Sequence, residues 1–344
     1  MILERLFYYV HGLCTMFFIM TSASLWLKEN KTGLQRVLMG VMTYWSLLEL
    51  KDLIFYPSYM VRRAFLPDLL VILDSSAVAA GLLYLLALVA PQRLSWKSTL
   101  GLFGPFLFFS LLFVATQGAG WVMTLHFITT AAIAISVGSY LIWAARRYNR
   151  YIDDNYSNTE QINIKWLSTA AFFLFICLVM WVVSNAFTSW LMDALFQFSL
   201  ILLWAPMIYH TVRQREISIP ENMPQKSVEI EGAISRQIER SLQQELEEKE
   251  LWLNPHLTLQ ELASAVGTNR TYLSNNLNSE LKTTFYDYIN EYRLRRAMEL
   301  LSDPAHHETM IEIAERCGFN SLSTFRRVFQ RKHGCSVSEW RSKQ

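Results

Sequence analysis

Up to about residue 212 the chain is a succession of apolar runs of roughly twenty residues, separated by short charged segments; beyond that point it turns polar and stays so. A helix needs about 20 residues to cross the ~30 Å hydrocarbon core of a bilayer, so each run predicts a transmembrane helix. Seven are expected, at about 6–27, 36–56, 68–90, 99–116, 121–144, 167–187 and 190–211. One set of alternate loops holds Lys28, Lys31, Arg36, Arg93, Lys97, Arg146, Arg147, Arg150, Lys165, Arg213 and Arg215, and the other holds Arg5, Arg62 and Arg63. Because Lys and Arg accumulate on the cytoplasmic side, this bias puts the N-terminus outside the cytoplasmic membrane and the polar C-terminal part inside. A cleaved signal peptide is the rival reading of the first run. Its start, "MILER", carries no net positive charge, and cleavage would leave the C-terminal part outside, against the loop charges.

At 344 residues the chain has room for two or three domains, and the net charge of +2 averages unlike regions. The expected architecture is all-α: a seven-helix membrane domain over 1–212, a linker with an amphipathic helix over 213–248, and a polar domain over 249–344. The stretch "EISIPENMPQKS" at 216–227 reads as a linker leaving the membrane. Ile230, Ile234, Ile238, Leu242 and Leu246 then recur every four residues, which predicts a helix with one apolar stripe. The stripe fits either a short coiled coil in a homodimer or a helix packed onto the following domain. A spacing of four drifts around the helix faster than a heptad does, which favours packing. The four cysteines, Cys14, Cys177, Cys317 and Cys335, show no CxxC spacing, so neither a disulfide framework nor a zinc site is expected.

From Pro255 onward the apolar positions keep helical spacing. Two segments, "LTLQELASAVGTNRTYLSNNL" and "TMIEIAERCGFNSLSTFRRVF", each read as helix, glycine turn, helix, with turns at Gly267 and Gly318. That is the plan of a helix-turn-helix, whose second helix enters the major groove of double-stranded DNA. On a wheel of 100° per residue, Phe325, Val328 and Phe329 of the second motif point inward, while Ser323, Arg327 and Gln330 centre on the outer face. Arginine can donate twice to guanine O6 and N7, and Ser and Thr reach several base edges. Ser323, Thr324 and Arg327 are therefore assigned to base readout, and Arg326, Gln330, Arg331 and Lys332 to phosphates. In the first motif Thr271, Ser274 and Asn275 face outward for base readout, with Asn278 beside them and Arg270 as the nearby phosphate-binding cation.

These residues resemble the AraC/XylS-type transcription regulators over about 250–341. The connecting helix carries the family's pattern at Phe285, Tyr288, Ile289, Arg293, Ala297, Leu300 and Leu301. The second motif carries it at Ile313, Ala314, Gly318, Phe319, Ser323, Phe325, Arg327, Phe329 and Gly334, closing with Trp340 and Arg341. Val337 stands where the family usually has proline. The resemblance implies that both recognition helices enter successive major-groove segments, so that one chain reads an extended, non-palindromic site.

Ionisable residues inside lipid are costly and mark candidate functional positions. Glu49, Asp52, Asp74, His126 and Asn185 fall within the apolar runs and are candidates for a polar pocket that takes a small ligand; mutual pairing that merely fixes helix packing is the alternative. Metal-dependent hydrolysis would want recurring ligand spacing, but His11, His126 and His210 stand singly and no HExxH occurs. A retinal Schiff base needs a lysine, and 190–211 contains none. Neither an enzyme nor a cofactor or metal is therefore expected. What remains is a membrane-embedded regulator whose bundle senses a small ligand, lipid or membrane partner protein. The alternative is a bundle that transports or only anchors, with the DNA-binding tail regulated by another membrane protein.

Overall fold

The computed structural model describes residues 2–59, 65–160, 162–186, 189–214, 232–302 and 308–342. Among these residues the structure is helical, with one isolated antiparallel bridge, Tyr156 to Thr258, and no strand; the all-α class is borne out. The chain divides into two compact units, Met1–Arg147 with Ile164–Ile217, and Tyr148–Asn163 with Ser218–Gln344.

The first unit contains α1 (Ile2–Leu27), α2 (Gly33–Tyr59), α3 (Phe65–Ser75), α4 (Ala77–Val89), α5 (Trp96–Ala115), most of α6 (Gly120–Asn155), α7 (Leu167–Ala186) and α8 (Trp190–Arg213). Helix α1 packs on α2 and α8, α7 on α8, α2 on α4, and α3 on α5. Trp204 is fully buried between the rings of Trp45 and Tyr84, and the Tyr84 hydroxyl shares a 2.5 Å hydrogen bond with Thr211. Each of the seven apolar runs is helical, but the third is interrupted. At the Ser75–Ser76 pair both hydroxyls donate to carbonyls three residues back, Ile72 and Leu73, and such back-bonding competes with the helix ladder. Among the described residues, five helical stretches are long and apolar enough to cross a membrane: Ile2–Leu27, Asp68–Val89, Trp96–Ala115, Gly120–Asn155 and Trp190–Arg213. Helix α2, which carries Arg36, Glu49, Lys51 and Asp52, is not among them. Nor is α7, several of whose side chains lie outside the described set.

The second unit takes in the end of α6 and residues 156–163, then α9 (Gly232–Glu247), α10 (Leu259–Val266), α11 (Arg270–Asn275), α12 (Phe285–Ser302), α13 (Met310–Arg316), α14 (Leu322–His333) and α15 (Val337–Arg341). Two apolar cores flank α12. One gathers Trp252, Leu257, Leu262, Leu273, Leu277, Phe285 and Ile289; the other gathers Leu300, Leu301, Ile313, Phe319, Phe325, Val328 and Phe329. Of the predicted linker stripe, Ile230 and the side chain of Ile234 lie outside the described residues. Ile238, Leu242 and Leu246 are buried in the first core, each contributing about 1.5–3 kcal/mol, so this helix packs onto the domain that follows it.

Helix starts in this unit are set by side chains that accept from otherwise unpaired N–H groups. Thr258 with Glu261, Thr309 with Glu312 and Ser336 with Glu339 each form a reciprocal capping box, and Asn269 and Ser321 cap α11 and α14. The Ser336 box opens α15 at the buried Val337.

Candidate nucleic-acid interface

The two predicted turns are where the spacing puts them. Gly267 ends α10 with φ +77° and Gly318 follows α13 with φ +76°, left-handed conformations that let the chain turn within a few residues at each motif. Helix α14 then runs for 12 residues as a second-motif recognition helix, burying Phe325, Val328 and Phe329 and leaving Ser323, Arg326, Arg327, Gln330, Arg331 and Lys332 exposed. The first recognition helix, α11, is shorter than expected: after six residues it widens into a π-helical turn over Asn276–Glu280. Leu273 and Leu277 still point into the core, and Thr271, Ser274 and Asn275 are half-buried at the surface.

Not every predicted contact residue is presented to solvent. Thr324, assigned to base readout, is buried at 3% exposure; its hydroxyl lies 3.2 Å from Ser321 Oγ and donates to Glu160 at 3.3 Å. As the third residue after the Ser321 cap, it supplies the capped N–H and is held in the first turn of α14. Arg331 and Lys332, assigned to phosphates, are half-exposed and reach across to Asp287 and Glu291 of α12. Exposed pairs of this kind are worth about 1 kcal/mol or less and are readily exchanged for phosphate. Arg270 lies over the Tyr151 ring at 5.6 Å. The outer face of α14 therefore rests on Ser323, Arg326, Arg327 and Gln330.

One residue central to this unit was legible only as a family position. Arg293 of α12 is fully buried and donates to five oxygens: Trp252 O at 2.8 Å, Asn254 O at 2.7 Å, Ser157 O at 3.2 Å, Ser157 Oγ at 3.1 Å and Asn290 Oδ1 at 3.3 Å. Asn290, one turn earlier, donates to Ser157 O at 3.4 Å. Burial pulls the guanidinium down to about 10, still far above neutral pH, so the cation persists. Glu160, from the same segment as Ser157, was not anticipated either; it sits at the N-terminus of α14.

In the first unit the predicted pocket residues separate. Glu49 is buried and pairs with His11 Nε2 at 3.2 Å, with Gln197 also bonded to it. Asp52 and Asp74 converge on Lys51. His126 lies 2.6 Å from Ser75 Oγ among the rings of Phe106, Phe109 and Phe127. The side chain of Asn185 lies outside the described residues. Glu49 thus meets a histidine of α1, Lys51 links Asp52 of its own helix to Asp74 of α3, and His126 meets a serine. His11, Lys51 and Gln197 are partners that the predicted pocket set did not include.

Residues 262–343 match the model of a helix-turn-helix domain family, of the AraC type. No curated protein and no solved structure matches the chain. The C-terminal part is accordingly a DNA-binding regulatory domain, while no family is assigned to the helices that precede it.

Proposed function

We propose that this chain is a multi-pass protein of the cytoplasmic membrane that binds DNA sequence-specifically and regulates transcription from the bilayer surface, with its helical bundle sensing a small ligand, lipid or membrane partner. The observation that carries the reading is the joining, in one polypeptide, of a matched AraC-type domain to five helical stretches of membrane-spanning length. Support for lipid contact comes from the first unit's outer residues: Leu107, Leu111, Ile135 and Ile54 are all 60% or more exposed. A soluble unit rarely leaves so much apolar surface in water. Sensing is supported by the polar pairs in the helices, whose rearrangement would supply the two states that a signal has to bias.

The direct test is a genome-wide crosslinking map of the tagged full-length protein in its own cells. A few discrete sites are expected; diffuse signal only, with the protein present and membrane-inserted, would rule against sequence-specific regulation. At such a site, Arg327→Ala should lower affinity by about 1–3 kcal/mol and relax preference at one base pair. Arg326→Ala should instead weaken binding to all sequences alike and flatten the salt dependence by about one counterion. If the two variants cannot be told apart by sequence preference, the division between base and phosphate contacts is wrong. Substituting Glu49 or Asp74 should change the cellular response while the crosslinking sites persist; an unchanged response from both would favour a bundle that only anchors.

A further inference from the structure

The segment joining α6 to α7 folds with the DNA-binding unit. Over 148–163 it reads "YNRYIDDNYSNTEQIN", with Asp153, Asp154 and Glu160 against Arg150, a net charge of −2. Tyr156 bridges to Thr258, and Ser157 N and Oγ both donate to Leu257 O, at 3.2 and 2.8 Å. Ser157 is fully buried, and Tyr148 Oη donates to Ile162 O at 2.7 Å, which closes the segment into a strap.

From this anchorage the strap reaches both DNA-reading elements. At the first, Arg270 stacks on Tyr151 and Asn278 hydrogen-bonds Asp154. At the second, Glu160 lies against the N-terminus of α14. Its Oε2 accepts from Ser321 Oγ at 2.8 Å, Asn320 Nδ2 at 3.3 Å and Thr324 Oγ1 at 3.3 Å, and its Oε1 accepts from Ser323 Oγ at 3.2 Å. An anion at the start of a helix, ringed by hydroxyl and amide donors, occupies the position a DNA phosphate takes at a recognition helix. Burial works against the charge on Glu160, but the four hydrogen bonds outweigh it and hold the carboxyl below its usual range, so it is ionised at neutral pH.

We infer that the strap is an intramolecular competitor of DNA, with Glu160 standing where a phosphate must bind, so that the described structure is a masked state and DNA binding requires the Glu160 arm to leave α14. The inference rests on the DNA-binding reading and adds its regulation. Two parts of the strap differ in kind. Ser157 is clamped by Arg293 and Asn290 inside the unit, whereas Glu160 is half-buried at the surface, its carboxylate held by Asn320, Ser321, Ser323 and Thr324, of which Ser323 is an exposed residue assigned to base readout. Helix α6 enters the strap without a break. A change in α6 within the membrane therefore has a covalent route to the mask, and no diffusible messenger is needed.

The test uses full-length protein in nanodiscs of phosphatidylcholine and phosphatidylglycerol, at low ionic strength. The probe is a labelled mixed-sequence duplex of about 40 base pairs, enough to span two successive major-groove segments. If a mask holds most of the population, affinity is reduced by the unmasked fraction. Glu160→Ala should then bind about tenfold or more tightly than the unaltered protein, with Glu160→Gln between them. Hydrogen exchange at residues 158–160 of the unaltered protein should quicken when the duplex is added. Equal or weaker binding by both variants, with the unaltered protein still binding duplex, would overturn the mask and leave the DNA-binding reading standing. Absence of binding by all three proteins would overturn both. Because glutamine keeps the size and an acceptor oxygen, a fold defect would appear in Glu160→Ala alone, and Glu160→Gln still decides.

Discussion

Gly318→Ala is expected to cost the DNA-binding unit more than about 3 kcal/mol, enough to unfold it in much of the population, whereas Gly267→Ala should cost about 1 kcal/mol. Both glycines have the same left-handed backbone, φ +76° and +77°, so the strain of placing an L-residue there is common to them. The surroundings differ. A Cβ on Gly318 would lie 2.7 Å from Trp252 O, 2.8 Å from Leu253 O and 2.9 Å from Leu253 Cα, whereas nothing lies within 4 Å of one on Gly267. The crowding atoms are backbone, and the Trp252 carbonyl is already held by the buried Arg293, so relief would require parting the turn from the 251–253 segment. Thermal unfolding and limited proteolysis of the two full-length variants would show the contrast. Equal losses would mean that backbone strain alone, and not the close approach of two segments, requires glycine at position 318.

Most of this architecture was legible because its signals are local. Apolar runs of membrane-spanning length, the four-residue stripe of α9 and the paired glycine turns each depend on neighbours within one or two turns of helix. The wheel placed Phe325, Val328 and Phe329 inward and Arg327 outward, and the structure agrees. It could not place Thr324, because that residue's burial depends on the Ser321 cap and on a carboxylate 164 residues away in the chain. The same distance hid the strap: nothing in "NYSNTEQIN" has a period, and its partners Leu257, Arg293 and Ser321 are brought to it only by the tertiary fold. In the bundle, counting apolar residues marked the third run as one span, and Asp68–Val89 is one stretch of spanning length; what the count could not show is the one-residue turn at Ser76 that divides it into α3 and α4, where two serine hydroxyls bond back to the ladder. The polar pocket candidates were recognised by type, but the pairing of Glu49 with His11, Asp74 with Lys51 and His126 with Ser75 was set by helix packing that composition does not encode.

Arg293→Met is the second substitution with a large expected effect, and it separates the permanent part of the strap from the part that DNA would displace. Methionine matches the length of the arginine stem and removes its five donors, leaving the carbonyls of Trp252 and Asn254 and both Ser157 oxygens short of a partner in a closed interior. Each buried acceptor left unsatisfied costs about 1–3 kcal/mol, so with several lost together the variant should unfold well before the unaltered protein. Arg293→Lys should recover only part of that loss, since a point-charge ammonium cannot bridge carbonyls that lie on the two sides of a planar fork. Hydrogen exchange should quicken at residues 156–158 and 252–257 together, because the one guanidinium ties both segments to α12. Duplex binding by Arg293→Met should fall, in the direction opposite to Glu160→Ala, although both substitutions loosen the same strap. That opposition follows from where each side chain acts: Arg293 holds the frame that presents α14, while Glu160 occupies the surface that α14 presents. A stable Arg293→Met protein, within about 1 kcal/mol of the original, would mean that these oxygens find other donors and that the strap is not anchored through α12.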